Sequence, residues 1–126
     1  TETVLVVDDE ATVVNLVVRV LKPLGYELLV ARNGGEALRI MDAHPGLIHL
    51  MVTDVVMPEM GGPELADIVA RKLPAIKVIF TSGYTEQSLS ARIPADTRIP
   101  LMEKPFTAQA LAQQVRITLD EAPGDA

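Results

Sequence analysis

Four short apolar runs in this chain each lead to a polar residue that can take part in phosphate chemistry. The runs are residues 4–7, followed by Asp8 and Asp9; residues 50–53, followed by Asp54; residues 78–80, followed by Thr81; and residues 99–102, followed by Lys104 and Pro105. Continuous apolar runs without polar alternation are typical of parallel strands that are covered on both faces. If these are parallel strands of one sheet, their polar ends meet at its carboxyl edge, where open α/β sheets bind ligands.

Strands and helices are predicted to alternate five times along the chain. The predicted strands cover residues 4–7, 28–31, 48–54, 76–81 and 98–102. The predicted helices cover about residues 10–22, 36–43, 63–73, 86–92 and 108–121, the fourth being weak because of its serines and the following Pro94. This alternation with short connections predicts a single α/β domain, with a parallel sheet covered by helices on both faces. We expect the domain to span residues 1–121, with residues 122–126 as a tail or linker stub.

Composition excludes several classes of function. The chain has 126 residues, a common size for one domain, and it has no cysteine, which rules out disulfides and thiolate metal sites. Its net charge is -6 and it has no lysine- or arginine-rich run, so direct nucleic-acid binding is not expected. A chain this acidic is expected to handle phosphate through a divalent cation.

The location of the chain is predicted from two features that it lacks. It has neither an apolar stretch of the ~20 residues that a bilayer span needs nor a signal peptide, so we expect a cytoplasmic protein without membrane insertion. Because the first residue is Thr1 rather than Met, we expect a chain that is processed or excised from a longer one.

Three carboxylates are the candidate chemical groups. Asp8 and Asp9 follow a buried strand, and such a pair repels itself unless a cation such as Mg²⁺ neutralises it. The alternative is that Asp9 caps the first helix and Asp8 is a solvated strand end. Asp54 ends a strand that is flanked by apolar residues, where a carboxylate can act as a covalent phosphoryl acceptor. The alternative, a turn aspartate, is weakened by the burial that those apolar flanks predict.

Thr81 and Lys104 are candidates for contacting a phosphoryl group. The Thr81 hydroxyl could donate to a phosphoryl oxygen, although a threonine also suits a strand for reasons of conformation alone. Lys104 could pair with the acids and then with the phosphoryl group, although most lysines are solvated. The residues that follow it, Pro105 and Phe106, indicate a sharp turn after the strand.

The chain resembles the receiver domain of two-component response regulators. The resemblance covers about residues 3–121 and rests on matching order and spacing of Asp8, Asp9, Asp54, the loop 57–62, Thr81, and Lys104 with Pro105 and Phe106. It implies a flavodoxin-like (βα)5 fold with strand order 2-1-3-4-5 and a cis Lys104–Pro105 bond. It also implies a phosphorylation-controlled switch rather than a metabolic enzyme. Residues 81–86 and 54–58 are most similar to receivers of hybrid histidine kinases.

The resemblance also implies a role for each site residue. Asp54 would accept a phosphoryl group from the phosphohistidine of a histidine kinase or histidine phosphotransfer domain, and a homodimer is left open. Mg²⁺ would be bound by Asp9, Asp54 and the backbone carbonyl of Val56, with Asp8 acting through water. Thr81 and Lys104 would contact the phosphoryl group.

The sequence departs from the receiver pattern at two positions. Leu101 stands where receivers commonly carry a switching Tyr or Phe, so we expect phosphorylation to reshape the surface at residues 82–102 by a change of order rather than a ring flip. Val56 is apolar where many receivers are polar, and we expect it to limit access of water. Val14 and Val18 fall off the buried face of the first helix, so they are expected to be exposed and to contact the partner.

Two other functions are alternatives to the switch. A degenerate receiver would act only as a protein-interaction module, and Leu101 is the residue that keeps this alternative open. A phosphatase with an aspartate nucleophile would need a second acid two residues after Asp54, and that position is Val56. Binding of beryllofluoride that depends on Mg²⁺ distinguishes the switch from the degenerate receiver.

Overall fold

A computed structural model of the chain describes residues 2–83 and 99–121. The strands are β1 (Thr3–Val7), β2 (Glu27–Ala31), β3 (Leu50–Asp54), β4 (Lys77–Ser82) and β5 (Leu101–Glu103). The helices of the described residues are α1 (Ala11–Leu21), α2 (Gly34–Ala43), α3 (Gly62–Lys72) and α4 (Ala108–Asp120), with a short 3-10 helix at Lys22–Leu24. All strand pairs are parallel, and the sheet order is β2-β1-β3-β4-β5. The predicted fold and strand order are therefore confirmed.

Side-chain caps and one glycine define three helix ends, and one of them explains a difference from the predicted bounds. The Asn33 side chain caps α2 by accepting from the Glu36 N–H at 2.8 Å, which starts this helix two residues earlier than predicted. Thr107 caps α4 in the predicted way, accepting from the Ala110 N–H at 3.0 Å. Gly25 ends the 3-10 helix that follows α1, and its φ of +98° is a conformation that favours glycine.

Two apolar clusters lie on opposite faces of the sheet. Because side chains alternate along a strand, β1 sends Leu5 and Val7 into one cluster and Val4 and Val6 into the other. Helices α2 and α3 cover the first cluster, and α1 and α4 cover the second. All five residues of β1 are buried, as the continuous apolar run predicts. The central strands β1 and β3 are therefore held firmly, and their carboxyl ends are fixed in place.

The predicted exposure of Val14 and Val18 is wrong. Both side chains are half-buried, and Val14 packs against the same cluster as Val17 and Leu21, which are fully buried. Because α1 contains many valines, it has no sharply bounded polar face. The helical spacing of its apolar residues alone therefore assigned Val14 and Val18 to the exposed face incorrectly.

The predicted helix at residues 86–92 and the tail at 122–126 lie outside the described residues. The described part of the last strand starts at Leu101, later than the predicted start at Arg98, which also lies outside them. None of the described helices combines the length and apolar character that a membrane span requires.

Candidate phosphoacceptor site at the carboxyl edge of the sheet

The carboxylates of Asp8 and Asp54 lie side by side because their strands are adjacent and in register. Val7 of β1 pairs with Thr53 of β3, so the next residue of each strand emerges at the same level of the sheet edge. Asp8 is 2% exposed and Asp54 is 5% exposed. The Glu10 N–H donates to Asp8 Oδ1 at 2.9 Å, and the Val56 N–H donates to Asp54 Oδ1 at 3.4 Å. Each acid thus has one oxygen bonded to the backbone that follows it.

Lys104 provides the positive charge for this cluster. Its Nζ lies 3.0 Å from Asp8 Oδ2, 3.2 Å from Asp54 Oδ2 and 3.4 Å from Glu10 Oε1. Its backbone N–H donates to the Ser82 carbonyl at 2.7 Å, which fixes the residue at the end of β4. The Lys104–Pro105 peptide bond is cis, the form that the resemblance implies. The two buried acids and the lysine, chosen from sequence because they end strands, are therefore in direct contact.

Burial and charge act in opposite directions on these groups. Burial raises the pKa of Asp54 and the neighbouring Asp8 charge adds to this, while Lys104 counteracts both without cancelling them. For Lys104, burial alone would lower the pKa, but the hydrogen bond to Asp8 and the charges of Asp54 and Asp8 outweigh it and raise the pKa. The lysine stays charged, and the acids remain in excess.

This excess of negative charge suits a divalent cation. One carboxylate oxygen from each of Asp8, Glu10 and Asp54 lies within 4.8 Å of the other two. Among the described residues, this is the group of acids that lie close enough together to share a cation. Three carboxylates against one ammonium leave a surplus of two negative charges, and carboxylate oxygens are the ligands that Mg²⁺ prefers. The donor chemistry therefore fits Mg²⁺. Asp9, the predicted direct ligand, is exposed and lies outside this group, whereas Glu10 belongs to it.

Thr81, Val56 and Leu101 differ in how they relate to the acids. Thr81 is 1% exposed and is the β4 partner of Asp54 in the register, and its carbonyl accepts from the Val55 N–H at 2.9 Å. Val56 is half-buried two residues after Asp54. Leu101 is 38% exposed on β5 and pairs with Phe80, one register position before the Thr81–Met102 pair. The position at which receivers commonly carry a switching aromatic residue is thus an exposed aliphatic side chain in this chain.

Gly62, the last residue of the loop 57–62, lies against the end of β3. Its N–H donates to the Val55 carbonyl at 2.8 Å, which draws the start of α3 against the end of β3. A Cβ at this position would lie 3.1 Å from the Asp54 carbonyl carbon and closer still to its oxygen, so no other residue fits without movement. Sequence reasoning treated the pair Gly61-Gly62 as loop and missed this role, although two adjacent glycines before a helix were a usable signal.

A cleft of about 690 Å³ opens beside the acid pair, along α1. Its lining includes Asp8, Asp9, Val14, Val18 and Arg32. The two valines that are predicted to contact a partner therefore line the same cleft as Asp8 and Asp9, although they are half-buried rather than exposed.

Comparisons with known proteins agree on the type of domain. The family model described as the response regulator receiver domain matches residues 4–116. The chain is 42% identical to the sensor kinase CckA of Brucella abortus over 94% of its own length, but it spans 13% of that protein. It is 33% identical to the chemotaxis protein CheY1 of Helicobacter pylori, with 91% of the chain and 94% of that protein covered.

Solved structures give the same result. The receiver domain of the hybrid histidine kinase CckA has a TM-score of 0.79 at 34% identity, covering 94% of this chain and 99% of that one. A response regulator receiver domain from Clostridium thermocellum has a TM-score of 0.82 at 26% identity, with 95% of both chains covered.

Proposed function

The chain belongs to the response regulator receiver domain family, a class of phosphorylation-controlled signalling modules, and we propose that Asp54 is its phosphoacceptor. The observation that carries this proposal is the burial of Asp54 at the carboxyl edge, with Asp8 beside it and Lys104 Nζ 3.2 Å away. A buried carboxylate is expensive unless it is paired, and here it is paired with a cation that can also bind a phosphoryl group. This arrangement favours a phosphoryl-accepting site over a purely structural one.

The proposed donor is a phosphohistidine on a histidine kinase or histidine phosphotransfer domain. A carboxylate oxygen of Asp54 bonds to phosphorus while the P–N bond to the donor imidazole breaks. The electron pair of that bond stays on the imidazole nitrogen, which is then protonated. The ammonium of Lys104 exchanges its contact with Asp54 for a phosphoryl oxygen, and thereby stabilises the product. The protein is in this sense a phosphoacceptor that assists its own modification and turns over no separate metabolite.

Mg²⁺ is the proposed cofactor. Bound at the acid cluster, it would offset negative charge between the carboxylate and the incoming phosphoryl group. Asp54 and Asp8 are present in the cluster that fits the ion. The direct ligation by Asp9 and the Val56 carbonyl, with Asp8 acting through water, rests on the family resemblance.

The output surface is proposed to lie at residues 82–102, of which residues 84–98 are outside the described part of the chain. Thr81 would contact the phosphoryl group, and Leu101 would respond without the ring flip of an aromatic residue. Backbone amide exchange measured with and without beryllofluoride tests this. Changed protection across residues 82–99 is expected, and unchanged protection would remove this surface from the proposal.

The cleft beside α1 is the proposed docking site for the phosphate donor. It brings the apolar surface of Val14 and Val18 next to Asp8 and Asp9, and Asp8 shares the ammonium of Lys104 with Asp54. A helix bound in this cleft would therefore lie beside the proposed phosphoacceptor site. Val18→Glu should slow phosphotransfer from the cognate donor and leave labelling by acetyl phosphate unchanged, since that small molecule needs no docking surface. Equal slowing of both reactions would point to damage at the site instead.

The decisive experiment removes the proposed nucleophile. Asp54→Asn should abolish labelling by acetyl phosphate and the Mg²⁺-dependent binding of beryllofluoride seen by ¹⁹F NMR. Asp67→Asn, a change of the same type at an exposed position in α3, should leave both intact. Undiminished labelling of Asp54→Asn would exclude Asp54 as the acceptor. A folded wild-type chain that binds no beryllofluoride at saturating Mg²⁺ would favour the degenerate receiver.

A further inference from the structure

Glu10 is an unexpected third partner of Lys104. Its carboxylate oxygen Oε1 lies 3.4 Å from Lys104 Nζ, in addition to the contacts of that nitrogen with the two buried aspartates. An ammonium group has three N–H donors, and each can therefore bond one of these three carboxylates. Lys104 has a full set of acceptors before any phosphoryl group arrives.

The three acceptors of Lys104 are not equally secure. The Asp8 and Asp54 side chains are 2% and 7% exposed, whereas that of Glu10 is 58% exposed. The Glu10 backbone is fixed, because its N–H donates to Asp8 and its carbonyl accepts from the first turn of α1. The Glu10 side chain thus extends from a fixed backbone, and it is far more exposed to solvent than the other two acceptors of Lys104.

We propose that Glu10 is a positioning residue that restrains Lys104 and competes with the phosphoryl group for it. This inference rests on the proposed function of Asp54 and concerns the regulation of the same site. When Asp54 is phosphorylated, the Lys104–Asp54 contact is replaced by a contact with a phosphoryl oxygen. Glu10 then holds the ammonium toward a different acceptor, and this restraint opposes the phosphorylated state.

Replacing Glu10 by a neutral side chain of equal length should therefore favour the phosphorylated form. Because Glu10 also belongs to the group of carboxylates that fits Mg²⁺, each variant is compared at its own saturating Mg²⁺ concentration. Glu10→Gln is then expected to tighten beryllofluoride binding by about threefold to tenfold, the range for one partly solvated charge at 3.4 Å from Lys104. Binding is measured by ¹⁹F NMR titration of the 126-residue chain. Glu64→Gln is the matched control, because Glu64 is an exposed acid in the first turn of α3 at the same edge of the sheet. It should leave the affinity unchanged.

A double-mutant cycle separates the contact with Lys104 from a general charge effect. If Glu10 acts through Lys104, the gain from Glu10→Gln should shrink to less than about twofold in a Lys104→Met background. Glu10→Asp keeps the charge but shortens the side chain by one methylene, so it should give part of the increase in beryllofluoride affinity. A purely structural role would not produce this pattern, since a damaged fold would weaken binding in every background.

The outcomes distinguish this inference from the function on which it rests. If wild type binds beryllofluoride and Glu10→Gln does not bind it more tightly, the restraint by Glu10 is refuted while Asp54 keeps its role. The same conclusion follows if the gain persists in full without Lys104. If wild type binds no beryllofluoride at saturating Mg²⁺, the proposed function fails, and the role of Glu10 fails with it.

Discussion

The two edges of the sheet hold ion pairs of similar length in opposite surroundings. At the carboxyl edge, Lys104 contacts Asp8 at 3.0 Å, and the two side chains are 13% and 2% exposed. At the amino edge, Arg116 of α4 contacts Glu2 and Asp120 at 2.8 Å each, and its own side chain is 46% exposed. Judged by distance alone, the ion pairs of Arg116 would be the stronger ones. Because the pair of Lys104 and Asp8 is buried, however, breaking it costs more stability than breaking the solvated pairs of Arg116.

The balance of charge differs as well. At the amino edge, the hydrogen bond from Arg116 lowers the pKa of Glu2, and the bonds to Glu2 and Asp120 raise the pKa of Arg116, so each group is stabilised in its charged form. At the carboxyl edge, the pKa of Asp54 is raised, because burial outweighs the help from Lys104. At the amino edge, the ion pairs of Arg116 link residues near the two ends of the domain, and each charged group in them has a partner of opposite charge. The carboxyl edge is short of positive charge, as suits a site that recruits a cation.

The largest effect in this comparison should come from removing Lys104. Lys104→Met leaves buried carboxylates without their counter-charge, and we expect it to lower the free energy of unfolding by about 3 kcal/mol in Mg²⁺-free buffer. Urea unfolding followed by circular dichroism measures this. Added Mg²⁺ should recover part of the loss, because it replaces the missing positive charge.

Lys72→Met is the control for this prediction. Lys72 pairs with Asp42 at 3.5 Å near the amino edge, and both side chains are largely exposed. Its loss should change stability by less than about 0.5 kcal/mol. Equal effects of the two substitutions would show that burial does not separate the two edges.

The second prediction concerns the backbone under Asp54. Gly62→Ala places a methyl group against the Asp54 carbonyl, so α3 must move away from β3, and we expect a loss of about 2 kcal/mol together with weaker beryllofluoride binding. Gly35→Ala, in the first turn of α2, meets side-chain atoms no closer than 3.5 Å and should be neutral or slightly stabilising. Similar behaviour of the two variants would contradict the close approach.

The carboxyl edge was largely predictable from sequence, because the apolar pattern of the chain identifies its strands. Continuous apolar runs defined strands, and a parallel sheet brings strand ends together, so Asp8, Asp54 and Lys104 could be grouped from the sequence alone. The contact of Glu10 with Lys104 could not be foreseen, because it depends on the conformation of a long side chain at the residue just before α1. The predicted exposure of Val14 failed for a different reason, since a valine-rich helix blurs the boundary of its buried face.

The third prediction reverses the usual sign of removing a charged group. Asp54→Asn should stabilise the Mg²⁺-free protein by about 1 kcal/mol, because Lys104 keeps Asp8 and Glu10 as partners while the surplus of negative charge falls. The pKa of Asp54 is higher in the folded chain than in the unfolded one, so folding favours its protonated form, and its ionisation costs stability as pH rises. The advantage of the variant should therefore shrink as pH is lowered through the folded pKa. A variant less stable than wild type at pH 7.5 would contradict this reading of the cluster.

The smallest effect should appear at the amino edge. Because the pKa of Glu2 is lowered by folding, its pairing with Arg116 contributes stability above the unfolded glutamate pKa of about 4.3, and this contribution is lost as pH falls through the folded value. Glu2→Gln should therefore cost less than about 1 kcal/mol at pH 7, and salt should reduce the cost, since the pair is solvated. Thermal unfolding at low and high ionic strength measures both.

The opposite pH trends expected for Glu2 and Asp54 follow from their surroundings: a carboxylate paired in water is stabilised by folding, and a buried surplus carboxylate is stabilised when a cation or a proton arrives. If salt left the Glu2→Gln difference unchanged, the amino-edge pair would be acting as a buried one, and the contrast between the two edges would have to be given up.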